Sequence, residues 1–334
     1  MRLFFFAGGF CLALTLIAPP PEGLSPAAWI GAGIAMLMAV WWLTEALPLA
    51  VTALVPLALA PLLGLAGIDE VALSYSHPLI ILFLGGFLLA KAIERWGLHR
   101  RIAFSLLRVA GDRPGRVLAA LMGTTAFLSL WISNTAAAMV VTPIAAGIAD
   151  TQPGRGRFPT ALMLGVAFSA TIGGMGTLIG TPPNAIFAAY MSRAQGIEIS
   201  FARWAMVAMP VVAVLLVAAW AVLAHVTPRL DGARLAHGPE QAPGPMGPGE
   251  RRVAAVAGLT ALAWITRPFL EALFPGLNLS DAGIAMLAAL ALFVLPSGQG
   301  GRLLDWEHAA TLRWDVLILF GGGLALAGLL ETTG

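Results

Sequence analysis

Apolar runs of about twenty residues recur along almost the whole chain, and a run of that length is what a helix needs to cross a bilayer. They occupy 3–19, 27–44, 48–66, 78–94, 160–190 (interrupted), 203–226, 252–274, 279–295 and 315–331, separated by short breaks that hold arginine or proline. Only 11% of the 334 residues are charged, against about 25% in a soluble domain, and mean hydropathy is +0.86. The chain therefore reads as an all-α polytopic membrane protein with the lipid bilayer as its surroundings. No alternating strands of about ten residues point to a membrane barrel. The single cysteine, Cys11, excludes an internal disulfide framework and a cysteine-rich metal site. Neither a nucleic-acid partner nor an organic cofactor is expected. Lys91 is the one lysine among 19 basic residues and alanine is abundant, which suits a bacterial chain from a GC-rich genome; for such a multi-pass chain the inner membrane is the expected location. Met1-Arg2 and the apolar run to Ala18 resemble a signal peptide, but no clear cleavage site follows and many further spans do, so a retained first helix is expected.

Segment 117–149 is also apolar, yet Ser133-Asn134-Thr135 splits it in the middle. Hydrocarbon offers those groups no water, so they need protein, an ion or a solute. Each half is too short to cross comfortably, and a re-entrant helical hairpin with the triplet at its tip accounts for this. Charge supports the hairpin. With the N-terminus in the cytoplasm and the hairpin counted as no crossing, all basic residues except Arg193, Arg203 and Arg267 fall inside. A single crossing there would put Arg155, Arg157 and the cluster from Arg229 to Arg252 outside, against the positive-inside rule. Residues 98–110 mix basic and apolar positions and suit an amphipathic helix at the cytoplasmic interface.

The Pro- and Gly-rich stretch 227–251 reads as a cytoplasmic linker between two halves. Before it lie the first four spans and the interfacial helix in 1–116, then the hairpin, the interrupted span and one further span in 117–226, which the resemblance given below implies to be scaffold and transport parts. After it, 252–334 begins a second repeat. Leu82–Gly97 aligns with Leu319–Gly334, identical at eight of 16 positions at a constant offset of 237. Five crossings separate the copies, so they run in opposite directions, and inverted repeats are the architecture of secondary transporters. The counterpart of Ser133 would fall at position 370, past Gly334, so the second half-site is expected to be missing.

Two segments carry chemistry. Ser129 and Ser133, four apart, are expected on one helix face, and the two limbs of the hairpin leave free backbone groups at its tip. Carbonyl, Ser and Asn oxygens suit a hard cation such as Na⁺, and the second limb's N-terminus offers N–H groups to an anion. The alternative is hydrogen bonding between helices. The second segment, Thr171-Ile172-Gly173-Gly174-Met175-Gly176-Thr177-Leu178-Ile179-Gly180-Thr181-Pro182-Pro183-Asn184, should break its helix, through glycine freedom and the missing proline N–H. It lacks the Lys-Ser/Thr ending and the preceding strand of a phosphate loop. A packing kink is the alternative.

With Trp41-Trp42-Leu43-Thr44-Glu45-Ala46-Leu47-Pro48 and the Leu-Phe-Gly-Gly spans, these two segments resemble the divalent anion:sodium symporter family, through essentially the whole chain. The resemblance implies an eleven-span fold of two inverted repeats, an elevator mechanism, a homodimer and Na⁺ as coupling ion. It implies a first sodium site of Ser129, Ser133, Asn134 and Gly180. Substrate carboxylate would meet Ser133, Asn134 and Thr135, with Thr181 and Pro182 nearby. Thr181 stands where the family usually has serine, and the hydroxyl is kept. The family's second hairpin and second sodium site have no counterpart here, so the resemblance implies an inverted-repeat elevator-type fold truncated in the second repeat, inactive by itself. The expected function is sodium-coupled transport of a C4-dicarboxylate such as succinate or malate. Sulfate, citrate or another anion, or a cation-coupled carrier of the wider superfamily, are the alternatives. An intramembrane hydrolase would need a Ser–His, paired-Asp or His-Glu-x-x-His arrangement, which the spans lack. Glu45 is expected as an interfacial cap or packing group rather than a functional carboxylate. Asp69, Glu70 and His77 are expected in a solvated outside loop, and Trp41, Trp42, Trp131 and Trp204 as interface anchors or packing groups.

Overall fold

The structure is a computed structural model that describes residues 2–108, 111, 113–150, 157–226, 244–274, 276 and 278–334. Arg155, Arg229, Arg234 and most of the 227–251 linker lie outside these residues. In chain order the helices are α1 (Arg2–Ile17), α2 (Pro26–Thr44), α3 (Leu49–Thr52), α4 (Val55–Leu62), α5 (Ile68–Tyr75) and α6 (Pro78–Arg95). There follow α7 (Leu98–Leu107), α8 (Pro114–Ser129), α9 (Asn134–Asp150), α10 (Arg157–Gly174) and α11 (Pro182–Gln195). The last are α12 (Phe201–Val226), α13 (Pro248–Leu273), α14 (Asp281–Val294), α15 (Trp306–Ala309) and α16 (Trp314–Thr333). Among the described residues, five segments are long and apolar enough to cross a membrane: Pro26–Thr44, Ile68–Arg95, Phe201–His225, Pro248–Leu273 and Trp314–Thr333. The expected spans 3–19 and 279–295 form helices of 16 and 14 residues, shorter than a straight span. The chain divides into two compact units, Met1–Leu84 with Ala189–Gln195 and Arg313–Gly334, and Gly85–Ala188 with Gly196–Leu312.

In the first unit, Ser25 caps α2 by accepting the Ala28 N–H at 3.0 Å, with Pro26 in the first turn. The helix stops at Glu45, whose left-handed φ of 48° lets its N–H close on Trp41 O. Glu45 is exposed and acts as the cap. The indole N–H of Trp41 donates to Phe5 O and that of Trp42 to Leu49 O, both at 3.1 Å, so these rings pack helices and satisfy carbonyls together. The expected span 48–66 is not one helix. Pro56 has no N–H for the carbonyl of Thr52, and the chain breaks there into pieces of four and eight residues. Tyr75 donates its hydroxyl to the carbonyl of Ala53 in the break, at 2.5 Å. Gly322 of α16 sits so close to Ala53 that an added Cβ would lie 2.6 Å from its Cα. Phe83 and Phe320, which the offset of 237 makes equivalent, meet edge to face at 5.2 Å. Asp69 and Glu70 are exposed as expected, but on the first turn of α5 rather than in a loop, where carboxylates favour the helix N-terminus.

In the second unit, Gly85 of α6 approaches Ala285 of α14, where a Cβ would lie 2.6 Å from the Ala285 methyl. Gly97, at φ 69°, turns α6 into α7, the helix expected in 98–110. Leu98, His99 and Ala103 are buried and Arg100 is exposed. Side chains clamp this corner: Trp96 donates to Leu303 O at 2.7 Å, Arg101 chelates Glu250 and donates to Gly244 O at 2.8 Å, and Arg95 pairs with Asp305 at 2.7 Å. Asp305 also accepts the backbone N–H of His308 at 2.9 Å and contacts its ring nitrogen at 2.7 Å. These bonds, then Arg95, hold its carboxyl at about 2. A depressed carboxyl adds stability that is present above its ordinary value and lost as pH falls through the folded value. Thermal melts should therefore show an acid limb between about pH 4 and about pH 2 that is shallower in Asp305→Asn.

Candidate functional site

The hairpin is two helices of 16 and 17 residues joined by the turn 130–133. Helix α8 ends at Ser129, so Ser129 and Ser133 do not share a helix face, contrary to the expectation from their spacing. Ser133 turns to cap α9. Its hydroxyl accepts the Ala136 N–H at 3.3 Å and its carbonyl the Ala137 N–H at 2.9 Å. Ser129 is fully buried, Asn134 half-buried, and Ser133 and Thr135 exposed. The expected break in 160–190 is present. Helix α10 stops at Gly174, residues 175–181 are not helical, and Pro182 opens α11.

The break lies against the hairpin tip. The Ser129 hydroxyl is 2.6 Å from Asn134 Oδ1 and 2.6 Å from the carbonyl of Ala170. Thr177 donates its hydroxyl to Leu130 O at 2.6 Å. A Cβ on Gly174 would run into Asn134 Oδ1 and lie 2.6 Å from the Thr181 methyl, and one on Gly180 would overlap the Gly174 carbonyl. Glycine is needed at both positions for this approach. Ser129, Asn134, Gly180 and Thr181 are thus linked through Gly174, with Pro182 at the edge. Ser133 and Thr135 stand at the same turn, outside this cluster.

The chemistry follows from the donors. A hydroxyl carries one proton, so Ser129 serves only one of the two oxygens beside it. The Gly180 carbonyl has no protein donor among the described residues. Oxygens short of protons are what a hard cation binds. The sequence from Val117 to Ile148 and from Thr160 to Met191 contains no Asp, Glu, His, Lys or Arg. The tip and the break themselves therefore hold no formal charge.

Two side chains that the sequence reading did not single out are central. Asn184 donates to Gly174 O at 2.9 Å and Thr177 O at 2.7 Å, and Thr177 ties the break to the hairpin. Both are polar groups in an apolar stretch, the signal that marks the Ser-Asn-Thr triplet. Asp281 carried no such signal. It accepts the Phe201 N–H at 2.6 Å and pairs with Arg267 at 3.1 Å.

Residues 5–334 match the family model described as the sodium:sulfate symporter transmembrane region. The chain belongs to this symporter family. It is 40% identical over 340 residues to the sodium-dependent dicarboxylate transporter SdcS of Staphylococcus saprophyticus, covering 96% of this chain and 66% of that protein. To the SdcS of Staphylococcus aureus it is 39% identical over 343 residues, covering 96% and 65%. The chain spans about two thirds of the length of these curated relatives. A symporter family accounts for a chain of apolar helices, and its relatives are named as transporters rather than enzymes.

Proposed function

We propose that this chain forms one jaw of a sodium-coupled carrier for a divalent anion, a C4-dicarboxylate such as succinate or malate. The observation that carries the reading is the uncharged contact of Ser129 and Asn134 with the break, through Gly174 to Gly180, beside a helix N-terminus. Na⁺ would take the oxygens of Ser129, Asn134 and Gly180, with Ser133 joining by rotation of its hydroxyl. The anion would meet Ser133, Asn134 and Thr135 at the start of α9, where the first N–H groups have no partner four residues back. Helix α11 offers less, because Pro182 and Pro183 carry no N–H, and so Thr181 contributes a hydroxyl and Pro182 a wall. With no basic side chain in the tip or the break themselves, a dianion binds better when sodium is bound, and sodium better when the anion is.

The wider architecture fits the same reading: inverted repeats, a re-entrant hairpin, an elevator movement, a homodimer and a cytoplasmic N-terminus in a bacterial inner membrane. Its supports are the charge distribution, the Phe83–Phe320 pair, and the parallel roles of Gly85 on Ala285 and Gly322 on Ala53. The named substrate of the relatives favours a dicarboxylate. The family's description favours sulfate as the second reading.

Thermal unfolding of the purified chain in detergent tests this. Sodium chloride should raise the midpoint where potassium chloride of equal ionic strength does not, and succinate should add a further rise only with sodium. Equal effects of the two salts would sink the sodium reading. A rise with sulfate and none with succinate would select the second anion.

A further inference from the structure

The break between α10 and α11 exposes a run of carbonyls, and they are treated unequally. Trp204 donates its indole N–H to Met175 O at 2.9 Å. Asn184, 6% exposed, places both protons of its amide nitrogen on Gly174 O and Thr177 O. Gly180 O is left without a protein donor among the described residues. Gly174 is also the residue on which the cluster turns, since its α-carbon abuts Asn134 Oδ1 and its carbonyl lies beneath Gly180. Whatever holds the Gly174 carbonyl therefore sets the spacing between Asn134 and Gly180.

We propose that Asn184 is a positioning residue for sodium: it touches none of the ligating oxygens, but by fixing the Gly174 and Thr177 carbonyls it sets the size of the oxygen cluster, and so its affinity for Na⁺ and its preference over the larger K⁺. This rests on the reading of that cluster as a sodium site. The amide is suited to the task. It is uncharged, so it leaves the cation's field alone. Its two donors span the break from the first turn of α11; Thr177 O also accepts the Gly180 N–H at 3.3 Å, so Gly174 O is the buried carbonyl that loses its donor and moves to find another. Asn184→Leu keeps a side chain of similar size and no charge but removes the donors, and Asn184→Ser removes both bonds with a smaller polar group.

The test is binding of radioactive sodium to the purified chain in detergent, competed by potassium. Both variants should bind sodium about tenfold more weakly, the equivalent of one lost hydrogen bond of about 1.4 kcal/mol, and should be displaced by less potassium. Trp204→Phe removes the donor to Met175 O, a carbonyl apart from the cluster, and should leave affinity and selectivity within twofold. No sodium binding by the unmodified chain would defeat the sodium reading itself. Binding by the unmodified chain with Asn184 variants unchanged would overturn the proposal alone. So would an equal loss in Trp204→Phe, or failure to recover either Asn184 variant folded, since the role would then be structural.

Discussion

Gly174→Ala should abolish the sodium-specific rise in thermal stability while leaving a folded chain. The new methyl would run into Asn134 Oδ1 and sit 2.6 Å from the Thr181 methyl. Both are side-chain atoms that can yield, so the packing cost should stay at about 1–3 kcal/mol. They yield, however, by moving Asn134 away from Ser129 and pushing Gly180 aside, which takes the oxygens apart. A ligand at a hundred times its dissociation constant stabilises the native state by about 2.7 kcal/mol, and that increment is what the variant should lose. Gly123→Ala is the control. Nothing lies within 4 Å of its added methyl, and alanine is favoured over glycine in a helix by about 1 kcal/mol. It should be neutral or stabilising and should keep the response to sodium. A Gly174→Ala chain that still distinguishes sodium from potassium would remove the cluster as the site.

Asp281→Ala should cause the largest loss of stability among the charge substitutions. Asp281 is buried, caps the first residue of α12 by accepting the Phe201 N–H at 2.6 Å, and pairs with Arg267 at 3.1 Å. Its own carbonyl accepts the Trp264 indole N–H at 3.0 Å, and Trp264 stacks on Phe201 at 4.5 Å. Breaking a buried pair leaves an uncompensated charge, but Arg267 keeps Glu271 at 2.8 Å, so the loss should be about 2–3 kcal/mol. Asp315→Ala breaks an exposed pair with Arg313 and should cost less than about 1 kcal/mol. Comparable melting temperatures for the two variants would show that the Asp281 cluster contributes no more than a surface pair.

The features legible in the sequence are those whose cause is local. Apolar runs mark helices because each backbone bond closes within four residues. The Ser-Asn-Thr triplet and the Gly- and Pro-rich segment mark breaks because those residues stop that bonding where they stand. The misread span, 48–66, failed on an equally local cause, Pro56, masked by apolar residues on either side. Ser133 shows the limit of periodicity. Four residues after Ser129 it would share a face only if the helix continued, and its hydroxyl caps the next helix instead.

The partners of the polar atoms were beyond the sequence. Ser129 meets Ala170 across 41 residues, Thr177 meets Leu130 across 47, and Phe201 meets Asp281 across 80. By itself the sequence determined that this is a chain of apolar helices, that it breaks near Ser133 and within 171–184, and that neither break carries a charged side chain. Only the tertiary structure decided that Ser129 meets Asn134 and Ala170, that Gly174 lies between Asn134 and Gly180, and that Asn184 bonds Gly174 O and Thr177 O. The physical reason is that helix formation and hydrophobicity act over a few residues. The pairing of one buried donor with one acceptor depends on how closely helices approach, and glycines set that approach at positions far apart in the chain.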